Sequence, residues 1–181
     1  METTASGGAS SGCTTLCVLA HELAADGLRL ASSFFHAAPG ALACGAMDRT
    51  LVICKPDAVE RGLVGEIIGR FERKGFTIVA AELRTIDAET AGRHYAEHEG
   101  KPFYGELVEF IGRSPALVFV LEGPGDTWKA VRSMMGTTNP LDADPGTIRG
   151  DLGTLFTENL VHGSDSPESA DREIAIFFPN L

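Results

Sequence analysis

From residue 49 onward the apolar and polar positions switch between a period of two and a helical period, and each switch marks an element. Arg49 to Cys54, Arg-Thr-Leu-Val-Ile-Cys, is a short β-rich apolar run that predicts a buried strand, ended by Pro56. Leu63, Ile67, Ile68 and Phe71 then recur at helical spacing, with Glu66, Arg70 and Arg73 on the other side and Gly75 as the stop. Phe76 to Ile86 reads as a second strand. Asp87 is placed to cap a helix through Tyr95 to about Glu97, and a short helix covers Tyr104 to Ile111. Ala116 to Leu121 is a third strand between Pro115 and Gly123-Pro124-Gly125. Asp126 is placed to cap a helix ending at Met135. Gly136 to Arg149 is a long loop containing Pro and Gly, of the length that usually serves function. Leu160 to His162 is a short fourth strand, and Ser166-Pro167 opens a last helix from Glu168 to about Phe177.

The order is β-α-β-α-α-β-α-loop-β-α. Without its extra helices it is the split βαββαβ pattern of ferredoxin-like α+β folds, an α/β sandwich. That pattern predicts a four-stranded antiparallel sheet with helices on one face. Residues 1–46 break from this regularity: they are rich in Ala, Gly, Ser and Thr, and Arg29 is their only Lys or Arg. They read as a low-complexity extension, disordered or weakly helical, ahead of a domain at 47–181. Met47 stands directly before the first strand signal, so an over-long start is one explanation. A transit peptide is the other, although such peptides are Arg-rich and poor in acids.

Composition narrows the chemistry. A formal net charge of −10 repels a nucleic-acid backbone, so a dedicated nucleic-acid binder is not expected, and any bound phosphate must meet a local cluster of cations. Cys13, Cys17, Cys44 and Cys54 form no C-x-x-C pair, which argues against a disulfide framework or a cysteine zinc site and suits a reducing cytoplasm. No apolar run approaches the roughly 18 residues that span a bilayer, because Leu16 to Ala20 is cut by His21-Glu22. No Lys or Arg precedes Arg29, so a secretory n-region is missing. The expectation is a cytoplasmic protein with no membrane partner.

Neither G-x-x-x-x-G-K-[ST] nor G-x-G-x-x-G occurs, which excludes the two common phosphate loops. In their place stands Asn159-Leu160-Val161-His162-Gly163-Ser164-Asp165-Ser166. An imidazole leaves the end of a strand beside a glycine, with hydroxyl and carboxylate neighbours and a helix starting behind it. A neutral imidazole nitrogen can attack phosphorus when a hydrogen-bonded carboxylate or carbonyl keeps the proton on the other nitrogen. Lys55 also stands out, because a lysine ending a buried strand before Pro needs a use for its ammonium or a path to solvent.

This octet resembles the active-site signature of the nucleoside diphosphate kinase family. The resemblance continues through Arg49-Thr-Leu-Val-Ile-Cys-Lys-Pro-Asp57, Gly62-Leu-Val-Gly-Glu-Ile-Ile68, His94-Tyr95, Lys101-Pro-Phe103, Gly136-Thr-Thr-Asn-Pro140 and Pro145-Gly-Thr-Ile-Arg-Gly-Asp151. It covers residues 47–181 and none of the extension, and it is of the bacterial type. The family likeness implies that His162 takes the γ-phosphate of ATP or another nucleoside triphosphate and passes it to a nucleoside diphosphate, by a ping-pong route. Glu173 matches the glutamate that holds the imidazole, and Ser164 matches a hydroxyl beside it. Lys55, Arg132, Thr138 and Arg149 match the phosphate cradle, with Tyr95 close by. Lys55 and Asn159 match the contacts to the sugar 3′-hydroxyl. The base is expected on Phe103, with Leu107 and Phe156 lining the slot. The family usually carries a smaller aliphatic at the Phe156 position, and Ala58 stands where Gly often follows Lys-Pro-Asp. Mg²⁺ is expected to ride on the nucleotide phosphates, and the assembly to be a homo-oligomer, hexameric or tetrameric.

Two readings from other classes compete. One is a regulatory or nucleic-acid-binding protein that keeps the fold and works by contact. The other takes His94-Tyr-Ala-Glu-His98 as the H-x-x-E-H of an inverted zinc peptidase, with both imidazoles on one helical face.

Overall fold

The computed structural model describes residues 47–181; the readings made on residues 1–46, with Cys13, Cys17 and Cys44, lie outside the described residues. Strand β1 runs Met47–Cys54, and α1, Pro56–Glu60, follows it at once. Helix α2 is Val64–Lys74, β2 is Thr77–Arg84 and α3 is Ala88–His94. After a 3₁₀ turn, Ala96–His98, come α4 at Tyr104–Gly112 and β3 at Ala116–Pro124. Helix α5 is Thr127–Met135, and a second 3₁₀ turn, Pro140–Asp142, leads to α6 at Ile148–Leu152. Strand β4 is Val161–Gly163 and α7 is Pro167–Phe177.

The strands form one sheet in the order β2-β3-β1-β4, every neighbour antiparallel. β1 and β2 therefore run parallel with β3 between them, the split arrangement that the element order predicts. Register fixes the chemistry: Ile53 in the middle of β1 lies opposite Val118 on one side and His162 on the other.

The helices cover both faces of the sheet, which corrects the expectation of one covered face. β1 shows why. Every residue from Thr50 to Cys54 is buried, so the side chains of both faces need apolar cover. Val52 and Cys54 meet Ile67 and Phe71 of α2 and Val131 and Met135 of α5. Leu51 and Ile53 point the other way, toward Ala91 of α3, Ile111 of α4 and Phe177 of α7. Truncating a fully buried leucine such as Leu51 to Ala would cost about 2–5 kcal/mol.

Two caps behave differently. Asp87 accepts the N–H of Thr90 at 2.8 Å and starts α3 as expected. Asp126 does not cap α5: its φ of 62° is left-handed and its side chain accepts no cap hydrogen bond. The Asp126 N–H instead donates to Asp48 at 2.8 Å. α2 ends on Gly75 at φ 99°, with Phe76 N–H reaching back to Phe71 O, the closure that needs a residue without Cβ. Two short helices escape the sequence pattern. Pro56 ends β1 and also opens α1, and α6 lies across the end of the loop read at 136–149. No described helix is long and apolar enough to cross a membrane.

Candidate active site

His162 sits in the three-residue edge strand β4, half-buried between buried Val161 and Gly163. Gly163 is there because β4 lies hard against α5: a Cβ would come within 2.7 Å of Met135 Sδ. Ser166 caps α7 by accepting the N–H of Ser169, with Pro167 in the first turn, and this directs the helix back along β1. Glu173 on the buried face of α7 thereby comes under the imidazole. Its two oxygens lie 3.1 and 3.2 Å from His162 Nε2. Ser164 Oγ donates to Glu173 Oε2 at 2.7 Å. The Ser164 hydroxyl is thus spent on the glutamate and not on the imidazole, one step further back than the sequence suggested. It also accepts the N–H of Leu51 at 3.3 Å, which fixes it to β1.

Burial alone would push the Glu173 carboxyl up, but the His162 and Ser164 hydrogen bonds, with the adjacent imidazoles, outweigh it and hold the group at about 2. Glu173 is an anion at neutral pH, so His162 keeps its proton on Nε2 and presents the lone pair of Nδ1 outward. Behind it His94 packs edge-on against the His162 ring, with centroids 4.5 Å apart. His94 Nδ1 is 3.7 Å from Glu173 Oε1, and neither of its ring nitrogens has a hydrogen-bond partner. Burial, then the neighbouring His162, lowers His94 to about 3, so that contact is a neutral imidazole against a carboxylate and not an ion pair.

Four cationic or amide groups surround the same end of the sheet. Arg149 on α6 is buried and spreads its guanidinium over three backbone carbonyls: Asn159 at 3.2 Å, Gly136 at 2.8 Å and Val161 at 2.6 Å. Burial, then Arg132, pulls Arg149 down to about 10, still charged at neutral pH. Arg132 on α5 is exposed and donates to Gly163 O at 3.0 Å. Asn159 is buried and donates to the carbonyls of Phe156 and Thr138. This ties the exposed Thr138 to the strand that bears His162. Lys55, between β1 and α1, is almost fully buried, with Nζ 3.2 Å from Thr157 O and 5.0 Å above the Phe110 ring. Burial lowers it to about 8. The lysine neither snorkels nor pairs directly with a carboxylate, so its ammonium is held ready in a partly dry place.

Tyr95 is buried against His94, ring centroids 4.6 Å apart, and burial raises its hydroxyl so that it stays a donor. Phe103 at the start of α4 is 46% exposed and Phe156 63%, so both present open aromatic faces. Leu107 is half-buried against the α3–α4–α7 core, so packing takes part of its surface. The zinc-peptidase reading fails on geometry. α3 ends at His94, and His98 lies in the following 3₁₀ turn, where its ring stacks on Tyr95. Among the described residues the one group of metal-ligating side chains is His94, His162 and Glu173, the cluster already described.

A buried carboxylate on one nitrogen of a strand-end histidine, with Arg132 and Arg149 bonded to the carbonyls on either side of that histidine, is an arrangement for phosphoryl transfer. Over residues 48–181 the chain matches the family model described as nucleoside diphosphate kinase. The chain belongs to the nucleoside diphosphate kinase family. It is 60% identical over 135 residues to the nucleoside diphosphate kinase of Rhodococcus jostii (strain RHA1), covering 74% of this chain and 96% of that one. It is 56% identical over 134 residues to that of Parafrankia sp. (strain EAN1pec), covering 74% and 97%. Among solved structures it is similar to the halophilic nucleoside diphosphate kinase of Halobacterium salinarum in complex with CDP. There the TM-score is 0.71 and the identity 49%, over 74% of this chain and 88% of that one. Similarity to the Aquifex aeolicus enzyme gives a TM-score of 0.72 and 44% identity, over 75% and 98%.

Two residues with buried polar atoms in this kinase-family site went unread in the sequence. His94 was weighed as a zinc ligand and otherwise, like Asp57, stood only inside a family motif. A polar residue inside an apolar helical face was the available signal for His94. For Asp57 local sequence offers none, since its partner is 103 residues away.

Proposed function

We propose that this chain moves the terminal phosphate of a nucleoside triphosphate to a nucleoside diphosphate in two half-reactions through His162. The observation that carries the reading is the Glu173 carboxylate on His162 Nε2, which leaves Nδ1 as the free nucleophile, on a strand whose carbonyls at Val161 and Gly163 are held by Arg149 and Arg132. Nδ1 attacks the γ-phosphorus in line; the N–P bond forms as the bond to the bridging oxygen breaks, and the nucleoside diphosphate leaves with that electron pair. The Nε2 proton stays in place, and Glu173 offsets the positive charge that the ring gains. In the second half a terminal phosphate oxygen of another nucleoside diphosphate attacks the same phosphorus and frees Nδ1. Arg132, Arg149, Thr138 and Lys55 receive the transferring oxygens, and Tyr95 lies beside them. Lys55 and Asn159 meet the sugar 3′-hydroxyl, and the base lies between Phe103 and Phe156 with Leu107 beneath.

The family works with a divalent cation. Glu173, already bonded to the imidazole, is the carboxylate in contact with His162, and among the described residues no cage of carboxylates surrounds it for a hard dication. Mg²⁺ therefore suits this site as a passenger on the nucleotide's own phosphate oxygens, where it neutralises charge. A homo-oligomer, hexameric or tetrameric, is part of the same proposal. The open edge of β2 with Leu83 61% exposed supports it. A cytoplasmic site of action suits the substrates and the single described cysteine, a buried free thiol.

The deciding experiment incubates the full chain with γ-labelled ATP and Mg²⁺ without acceptor, beside His162→Ala. Acid-labile, alkali-stable label on the wild type alone, discharged by GDP, is the expected result. If both proteins stay unlabelled while still retaining nucleotide, the transfer reading fails and a contact protein of the same fold takes its place.

A further inference from the structure

Asp57 has no part in the chemistry above, yet it is a carboxylate only 1% exposed, in the first turn of α1. Its Oδ2 accepts the N–H of Leu160 at 2.9 Å, while Oδ1 has no hydrogen-bond partner. Leu160 is one of two non-glycine residues among the described ones with positive φ, at 71°. A leucine resists that conformation, and it persists only where the surroundings over-determine it. They do so at three points. Asp57 holds the Leu160 N–H, and Lys55 N–H donates to Leu160 O at 2.8 Å. Arg149 grips the carbonyls on either side, those of Asn159 and Val161. The left-handed residue is what turns the chain between Asn159, aimed into the loop, and His162, aimed over Glu173.

A second observation concerns charge. Lys55 and Arg149 are both buried, and burial disfavours both as cations. Asp57 opposes that effect on each. The other charges facing Lys55 come from three directions: Glu158 attracts it from the segment before β4, while Arg149 of α6 and Arg113 after α4 repel it. The Phe110 ring and Thr157 O complete its surroundings.

We infer that Asp57 is a positioning residue of the phosphate cradle: its buried carboxylate latches the left-handed Leu160 turn and serves as counter-charge to Lys55 and Arg149. The inference rests on the reading of those two cations as phosphate ligands. It makes Lys55 usable at neutral pH although it is buried, and it couples the strand bearing the nucleophile to the strand bearing the lysine.

The test is the pH profile of His162 labelling by γ-labelled ATP in wild type, Asp57→Asn and Asp57→Ser. Asn keeps an oxygen for the Leu160 N–H without the charge, and Ser does the same in less volume. In the wild type the rate falls as pH rises through about 8, where Lys55 loses its proton. Without the Asp57 charge Lys55 deprotonates earlier, so this alkaline limb moves down by about one pH unit: the rate falls about twofold at pH 7 and nearly tenfold at pH 9. A purely structural role would scale the rate at every pH and leave the limb in place. Lys55→Arg, whose guanidinium keeps its charge, removes the limb and so assigns it to Lys55. Three outcomes overturn the inference: a limb unmoved in folded variants, a limb that survives in Lys55→Arg, or failure of both Asp57 variants to fold. The last would assign the residue to the fold alone. Failure of the transfer reading shows separately, as wild-type protein that never takes label.

Discussion

The two ends of the proposed nucleotide site are built on opposite plans. At the phosphate end Lys55, Arg149, Asn159 and Glu173 are all buried, and each has a hydrogen bond to a fixed partner before any substrate arrives. At the base end Phe103 and Phe156 stand exposed, with packing holding only part of Leu107. The contrast has a physical reason. Developing charge on a transferring phosphoryl group is stabilised by dipoles and cations that need no reorganisation, so rigidity there lowers the barrier. A stacked base contributes only dispersion and apolar contact, every π-face is alike, and an open slot then accepts any of them.

The largest effect should come from breaking the rigid end. Arg149→Ala removes three hydrogen bonds to backbone carbonyls at once and is expected to lower turnover about a thousandfold. Arg149→Lys should rescue little, because the three donors of an ammonium leave one nitrogen and do not span carbonyls that three separate guanidinium nitrogens reach. Steady-state kinetics on both variants decide it; turnover within tenfold of wild type would mean that the buried frame is not what organises the phosphates.

The rigid end should also be the acid-sensitive end. His94 is held neutral well below its ordinary value of 6.5, so the unfolded chain takes up a proton there that the folded chain refuses. Its contribution is complete above about 6.5 and is lost progressively as pH falls toward 3. Glu173, depressed from 4.5 to about 2, adds a loss in the same direction at lower pH. Melting temperature measured from pH 7 to pH 5 should therefore fall in the wild type, and fall distinctly less in His94→Phe. Equal slopes in the two proteins would remove His94 from the account.

The smallest effect belongs to the open end. Phe103→Ala should raise KM about five- to tenfold with kcat nearly unchanged, and to the same extent for purine and pyrimidine diphosphates. A penalty confined to one base class would show that the slot reads more than a π-face.

The two ends also differed in how far they could be read in the sequence. Lys55 and His162 were legible because each sits where a strand pattern ends, against the grain of its neighbours. Glu173 was legible only through family resemblance, since it lies 11 positions further along the chain, across a turn and most of a helix, from the imidazole it holds. Ser164 was found, but its partner was not, because one hydroxyl among three polar neighbours does not say where its proton goes. The expectation of helices on one face failed although the signal was present: four consecutive buried residues, Leu51 to Cys54, leave no strand face for water.

The sequence by itself determined the order of the strands and principal helices, and it singled out His162 as the candidate nucleophile at the end of the last strand. Periodicity, prolines, glycines and cap residues act over a few positions, and those signals are carried by neighbours in the chain. Tertiary structure decided the rest: which nitrogen of His162 is free, why a buried lysine can stay near its charge, and how Leu160 is held left-handed by a carboxylate 103 residues away. Protonation and backbone strain depend on solvent exclusion and on the nearest charges in space, and those exist only after the sheet has brought β1 and β4 together.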